Sequence, residues 1–184
     1  MKRIVLFLFF ISFSFFSYSQ VFNTGRLLKP GIFSLGVNPV VVDEGLENDI
    51  RVNIYGGYGL SQYVDVSFRY QLMENKDYFG ADFEFAVYKT KKVDVSLIAG
   101  GHARYDIGLD GTVCVSFPLN YYLTVFTGLD ADLELDEDQA QPYVWLPLGA
   151  EIKWTRKISA LIEVDFPMSN FAWNILSVGL EFYL

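Results

Sequence analysis

The sequence predicts an all-β fold: a transmembrane antiparallel β-barrel of about ten strands. Three observations carry that expectation. Stretch after stretch over 33–184 alternates apolar and polar residues, the period of a β-strand. One face of every such stretch carries no charge. The connections between the stretches alternate short and long, as in a barrel with tight turns on one side of the membrane and longer loops on the other. Eight and twelve are the competing strand counts.

The elements follow in order. Residues 1–19 read as a secretory signal peptide. Lys2 and Arg3 are its positive end, residues 4–16 an apolar run broken only by Ser12 and Ser14, and Ser17 and Ser19 the small residues before cleavage near position 20. The run is short for a spanning helix, which needs roughly 20 residues, and no cysteine follows it to take a lipid. Residues 20–184 are then one barrel domain. Residues 21–30 have two open readings, a free tail or a plug of the interior.

Strands are expected near 32–41, 49–60, 63–73, 79–89, 92–102, 108–118, 120–130, 142–154, 157–167 and 173–184. In the third, Val64, Val66, Phe68, Tyr70 and Leu72 oppose Asp65, Ser67, Arg69 and Gln71. In the fourth, Phe83, Phe85 and Val87 oppose Asp82, Glu84 and Tyr88. In the fifth, Val93, Val95, Leu97 and Ala99 oppose Asp94, Ser96, Gly100 and His102. The last carries the row Leu176, Val178, Leu180, Phe182, Leu184. Tight turns fall at Ser61-Gln62, Thr90-Lys91, Leu119 and Arg156, and longer loops near 42–48, 74–78, 103–107, 131–141 and 168–172. An even count puts both ends of the barrel on the tight-turn, periplasmic side.

Alternation alone does not say which face is wet, and a soluble periplasmic lipid-binding barrel shares the period. The polar face holds Gly57, Gly59, Gly80, Gly100, Gly149 and Gly179. Glycine gives nothing to a solvated strand surface, whereas a crowded lumen needs small residues. Lys or Arg at membrane depth on a lipid face costs about 2–4 kcal/mol, and the apolar faces carry neither. Aromatic residues gather near strand ends: Tyr58, Tyr63, Tyr88, Tyr121 and Trp154 by the tight turns, Tyr70, Tyr78, Tyr105, Tyr143 and Trp173 by the long loops. They read as two interfacial belts.

The segment 58–70, Tyr-Gly-Leu-Ser-Gln-Tyr-Val-Asp-Val-Ser-Phe-Arg-Tyr, resembles a hairpin frequent in small bacterial outer-membrane β-barrel proteins. Residues 177–184, Ser-Val-Gly-Leu-Glu-Phe-Tyr-Leu, are similar to the C-terminal strand that the barrel-assembly machinery of those proteins recognises. That family usually finishes on Phe, where this chain has Leu184, with Phe182 two residues before it. The resemblance implies insertion into the outer membrane of a Gram-negative cell, with lipid and lipopolysaccharide as surroundings, and no particular activity.

The chemistry-bearing residues fall on the inner face. Arg51, Arg69 and Lys153 stand against Asp65, Asp82, Glu84, Asp94, Glu151, Glu163, Asp165 and Glu181. Buried charges must pair or meet water. One reading is a side-chain-filled lumen with Arg51 and Arg69 bridged by acids; the other is a narrow cation-favouring pore. An outer-membrane enzyme is a third reading, resting on His102, the only histidine, with Asp106 four residues on. Ser96 lies six residues away along the strand, roughly 20 Å at strand rise, too far to be its partner. No catalytic residue is therefore assigned. Cys114, the only cysteine, forms no disulfide within the chain and reads as a filler of the inner face.

No metal ligand set and no cofactor is expected. Removing Lys2 and Arg3 leaves 12 bases against 22 acids, net −10, which argues against nucleic acid as a partner. The segment 130–141 holds six acids, and with Asp43, Glu44, Glu47 and Asp49 it makes the long-loop side negative. Asp136, Glu137 and Asp138 are oxygen ligands suited to divalent cations, and a solvated loop is the simpler reading. The expected role is structural or surface-interacting.

Overall fold

The computed structural model describes residues 24–43, 48–72, 77–103, 107–135, 142–170 and 172–184, with the side chains at 48 and 49 excepted. The expected signal segment, Glu44, Glu47, Tyr105, Asp106 and the acids at 136–138 lie outside the described residues.

The chain forms ten antiparallel strands: β1 (Phe33–Asp43), β2 (Asn48–Gly59), β3 (Val64–Leu72), β4 (Tyr78–Lys89), β5 (Asp94–Ala103), β6 (Ile107–Pro118), β7 (Leu123–Leu135), β8 (Tyr143–Lys153), β9 (Ile158–Pro167) and β10 (Asn174–Tyr183). Each pairs with its sequence neighbours, and β1 closes the barrel on β10, with Ser34 opposite Tyr183 and Asp43 opposite Asn174. Closure leaves no sheet edge, the condition for a sheet to sit in hydrocarbon. Strands of 9 to 13 residues match the roughly 9–11 that a tilted spanning strand needs.

All four tight turns use a side-chain acceptor to satisfy the backbone. The Ser61 hydroxyl accepts from Tyr63 N and Val64 N, Thr90 Oγ1 from Lys92 N and Val93 N, Asn120 Oδ1 from Tyr122 N and Leu123 N, and Thr155 Oγ1 from Lys157 N. Short polar side chains that bond their own backbone two or three residues on define such turns.

Orientation separates the membrane barrel from the soluble one. Phe68, Phe85 and Leu97 are 36%, 43% and 46% exposed, while Asp65 and Glu84 are 5% and 8% exposed. Among the described strand residues the exposed charges are Asp43 and Lys89, each at the end of its strand. An apolar belt of this kind in water would be a large unpartnered patch. In lipid it is the required surface, so the lipid-binding reading with an apolar core is overturned.

Three expectations need correction. Strand β7 runs Leu123–Leu135 instead of 120–130. Asn120 caps the turn, and the acidic stretch keeps strand period, with Asp130 and Asp132 turned inward. The acidic loop is therefore shorter than 131–141. Tyr88 faces outward, because a bulge at Val87 shifts the register so that Ala86 opposes Ser96 and Tyr88 opposes Val95. Three of the five residues expected in the second aromatic belt are also turned inward: Tyr78 and Tyr143 are buried inside, and Trp173 packs on the interior cluster. Tyr70 stays outside and hydrogen-bonds Asp77.

The interior is not purely ionic. Val40, Val42, Tyr55, Ile98, Cys114, Phe126, Tyr143, Trp145, Leu161 and Ile175 form a buried cluster, with Ala172 and Trp173 packed against it. Close packing explains the glycines. A Cβ on Gly149 would lie 2.2 Å from Phe126 Cζ, which is itself buried in that cluster.

Residues 24–32 form a strap across the tight-turn mouth. Gly31 N donates to Gly59 O at 2.8 Å and Gly59 N to Ile32 O at 3.0 Å. Leu28 N donates to Asp65 Oδ2 at 2.8 Å. On the far wall Arg26 Nη1 donates to Thr124 Oγ1 at 2.8 Å, and its Nε lies 3.6 Å from Asp94 Oδ2. Of the two readings for this segment, the described part takes the interior one. A Cβ on Gly59 would lie 2.1 Å from the Lys29 carbonyl oxygen, a backbone atom with no rotamer to give. Gly59→Ala is expected to release the strap at a cost of about 1–3 kcal/mol. Hydrogen exchange at Gly31 and Leu28 then rises while the strand amides stay protected; unchanged protection at those two positions would refute it.

Candidate functional site

The functional groups of the described residues converge on the barrel interior, and strand period puts them there. On the wall of β3 to β7, alternate positions carry Asp65, Arg69, Asp82, Glu84, Asp94, His102, Asp110, Thr112, Asp130 and Asp132, all buried. The centre is Arg69. Its Nη2 lies 2.8 Å from Asp82 Oδ2 and 3.1 Å from Asp110 Oδ2. Asp110 Oδ1 in turn lies 2.5 Å from His102 Nδ1. The Tyr78 ring stacks on His102 at 5.1 Å, and the Arg69 guanidinium stands 5.8 Å from the same ring. Four consecutive strands are tied by this one network. Beside it Thr112 Oγ1 donates to Asp130 Oδ1 at 2.5 Å.

Aromatic and aliphatic side chains form a second interior group. Tyr143 stacks on Trp145 at 5.5 Å, Trp173 closes over Tyr143 at 6.0 Å, and Trp145 Nε1 donates to the Trp173 carbonyl at 3.0 Å. Trp145, Phe126 and Leu161 are 0%, 1% and 2% exposed. The interior thus holds both an ion-pair network and a cluster of rings and aliphatics, with Ile98, Cys114 and Phe126 of that cluster on β5, β6 and β7.

The residues expected to share one lumen network occupy separate places in it. Arg69 and Asp82 are in the central network. Arg51, Glu163 and Asp165 are buried on β2 and β9. Asp94 meets Arg26 of the strap, and Asp65 meets the Leu28 amide. Glu84 lies directly across from Asp65. At the tight-turn mouth Glu151 Oε1 accepts from Ser159 Oγ at 2.7 Å and lies 3.5 Å from Lys153 Nζ. There Tyr183 Oη stands 3.0 Å from both Glu151 Oε1 and Glu181 Oε2.

His102, the last residue of the expected fifth strand, is a buried member of the central network with Asp110 as partner. Sequence reasoning also missed Asp110, Asp130, Asp132 and Arg26. For the three acids the signal was present: each continues the alternation of its strand, in Gly108-Leu-Asp110-Gly-Thr112 and Asp130-Ala-Asp132. Arg26 lies in a segment with no periodicity to read.

No protein-family profile matches the chain, and no curated protein matches it in sequence. The solved structures that resemble it are barrels. The KdgM porin in complex with disordered oligogalacturonate is 10% identical, with 81% of this chain and 98% of that chain covered, at a TM-score of 0.54. The NanC porin is 14% identical, with coverage of 82% and 100% and a TM-score of 0.52. At such identities the shared property is the fold: a closed transmembrane antiparallel barrel.

Proposed function

We propose that this chain is an outer-membrane barrel with a closed interior, acting as a structural or surface-interacting protein and not as a channel. The observation that supports this most is the filled cross-section, in which Trp145 and Phe126 pack beside the Arg69 network. A barrel of about eight strands is only wide enough for side chains to fill, and ten adds little. The interior also argues against a passage for acidic oligomers of the kind bound by the KdgM porin. Ten carboxyl groups are buried among the described residues, against the two guanidinium groups of Arg51 and Arg69.

In this reading the tight turns face the periplasm and the longer connections face outward. Outer-membrane lipid and lipopolysaccharide surround the apolar belt, the assembly machinery takes the strand ending at Leu184, and divalent cations bridge the acidic loop side to anionic lipid. No catalysis is assigned to His102, whose ring is occupied by Asp110 and Tyr78.

Two measurements test the reading. In planar bilayers the purified chain is expected to give no discrete conductance steps, and reproducible steps would end the closed-interior proposal. In cell fractionation it is expected in the outer membrane, with a heat-modifiable gel mobility. Recovery in the soluble periplasmic fraction would end the localisation.

A further inference from the structure

The tight-turn mouth holds a cavity of about 620 Å³ between the strap and the barrel wall. That is the size of small-molecule sites, about 300–1,000 Å³. Carboxyl groups line the wall, on Asp65, Glu84, Glu151 and Glu181. Of the basic groups that line it, Arg26 and Lys153 lie beside Asp94 and Glu151, while Lys29 on the strap and Arg156 in the turn between β8 and β9 are exposed at the rim.

The wall has more acceptors than donors. Glu84 is nine-tenths buried, lines the cavity, and its Oε1 has no hydrogen-bond partner among the described residues. Its neighbour across the ladder is Asp65, so two carboxyl groups stand side by side, with the Leu28 amide donating to Asp65 and the Ser96 hydroxyl beside Glu84. On the facing wall the Tyr183 hydroxyl stands between Glu151 and Glu181, and Glu151 also has the Ser159 hydroxyl and Lys153. One hydroxyl carries one proton and serves one carboxylate at a time. A group that brings several donors and a positive charge fits such a wall, and a primary ammonium brings three.

We propose that this mouth is a binding site for a small zwitterion carrying a primary ammonium, of the class of short peptides. The ammonium seats at Glu84 and Asp65, and the anionic end meets Lys29 and Arg156. A simple cation satisfies the wall and leaves the basic rim unmatched. A simple anion meets the rim and leaves the buried carboxylates unmatched. The site goes beyond the closed-interior reading and does not depend on it, because it lies in the mouth and not across the barrel.

The test uses the full chain in detergent micelles and three probes in isothermal titration: trialanine, N-acetyl-trialanine and trialanine amide. Saturable one-site binding of trialanine is expected, weakened about tenfold or more when acetylation removes the ammonium, as loss of a charge-assisted hydrogen bond to a buried carboxylate requires. Amidation is expected to weaken binding less, because the rim is open to water. Glu84→Gln is expected to lower trialanine affinity about tenfold with heat-modifiable mobility intact, and Arg156→Ala to lower it for trialanine but not for the amide. Absence of saturable trialanine binding overturns the proposal, and so does equal binding of the acetylated peptide. Both of those outcomes are read on the unaltered chain, so misfolding of a variant decides nothing. Conductance is silent here: a conducting barrel with this site and a closed barrel without it are separable results.

Discussion

Leu97→Arg is expected to destabilise the barrel by about 2–4 kcal/mol when it is folded in lipid vesicles. Leu97 sits in the middle of β5, faces outward, and is flanked by Phe85 on β4 and Val113 on β6, which face outward with it. A guanidinium placed there meets hydrocarbon on every side, and no described acid on the same face is near the middle of a strand to receive it. Denaturant titration followed by tryptophan fluorescence reads the change as a shifted midpoint at constant slope. Tyr88→Arg is the internal control. Tyr88 also faces outward but lies next to Lys89 at the tight-turn end, where the cost falls to about 0–1 kcal/mol. If the two substitutions cost the same, or if Leu97→Arg changes stability by less than about 0.5 kcal/mol as on a watery surface, the outward face does not meet lipid and the transmembrane orientation fails.

How much of this was readable beforehand varies from residue to residue. In β3 the period is unbroken from Val64 to Leu72, and the structure places its charges inside and its apolar residues outside. A strand with one charged face leaves a single workable register, since a slip of one residue would turn Asp65 and Arg69 to the lipid. Where both faces are apolar the pattern loses its power. Val40, Val41 and Val42 alternate in space but not in chemistry, so Val40 and Val42 gave no sign that they would enter the interior cluster. Tyr143 and Trp173 read as interfacial because aromatic rings near strand ends favour the membrane boundary; packing with the buried Trp145 draws them to the interior cluster.

The site was legible only in part, for a related reason. Period two says that Asp82, His102 and Asp110 share a face. It does not say that Gly100 opposes Asp110 and so brings His102 within reach of it, because register between strands is set by the whole ladder. The bulge at Val87 has the same origin. The strap escaped altogether, since its hold on the wall comes from single contacts of Arg26, Leu28 and Gly31 with residues that are distant in the chain.

Arg69→Met is expected to cost about 3–5 kcal/mol, the largest effect of any single change proposed for the interior. The methionine fills much of the same volume, so the loss is electrostatic. It leaves Asp82 and Asp110 buried without the cation that lies 2.8 and 3.1 Å from them, and breaking a buried pair by removing one partner is far more damaging than replacing the whole pair. His102 remains beside Asp110, and the Ser67 hydroxyl remains 3.4 Å from Asp82. A double-mutant cycle checks the mechanism. Asp82→Asn is expected to be destabilising in the native background and to recover at least about 1 kcal/mol in the Arg69→Met background, since residues in one network couple by about 0.5–3 kcal/mol. Additive costs would show that the two side chains stabilise the barrel separately, and that the central network is a coincidence of packing and not the tie that joins β3 to β6.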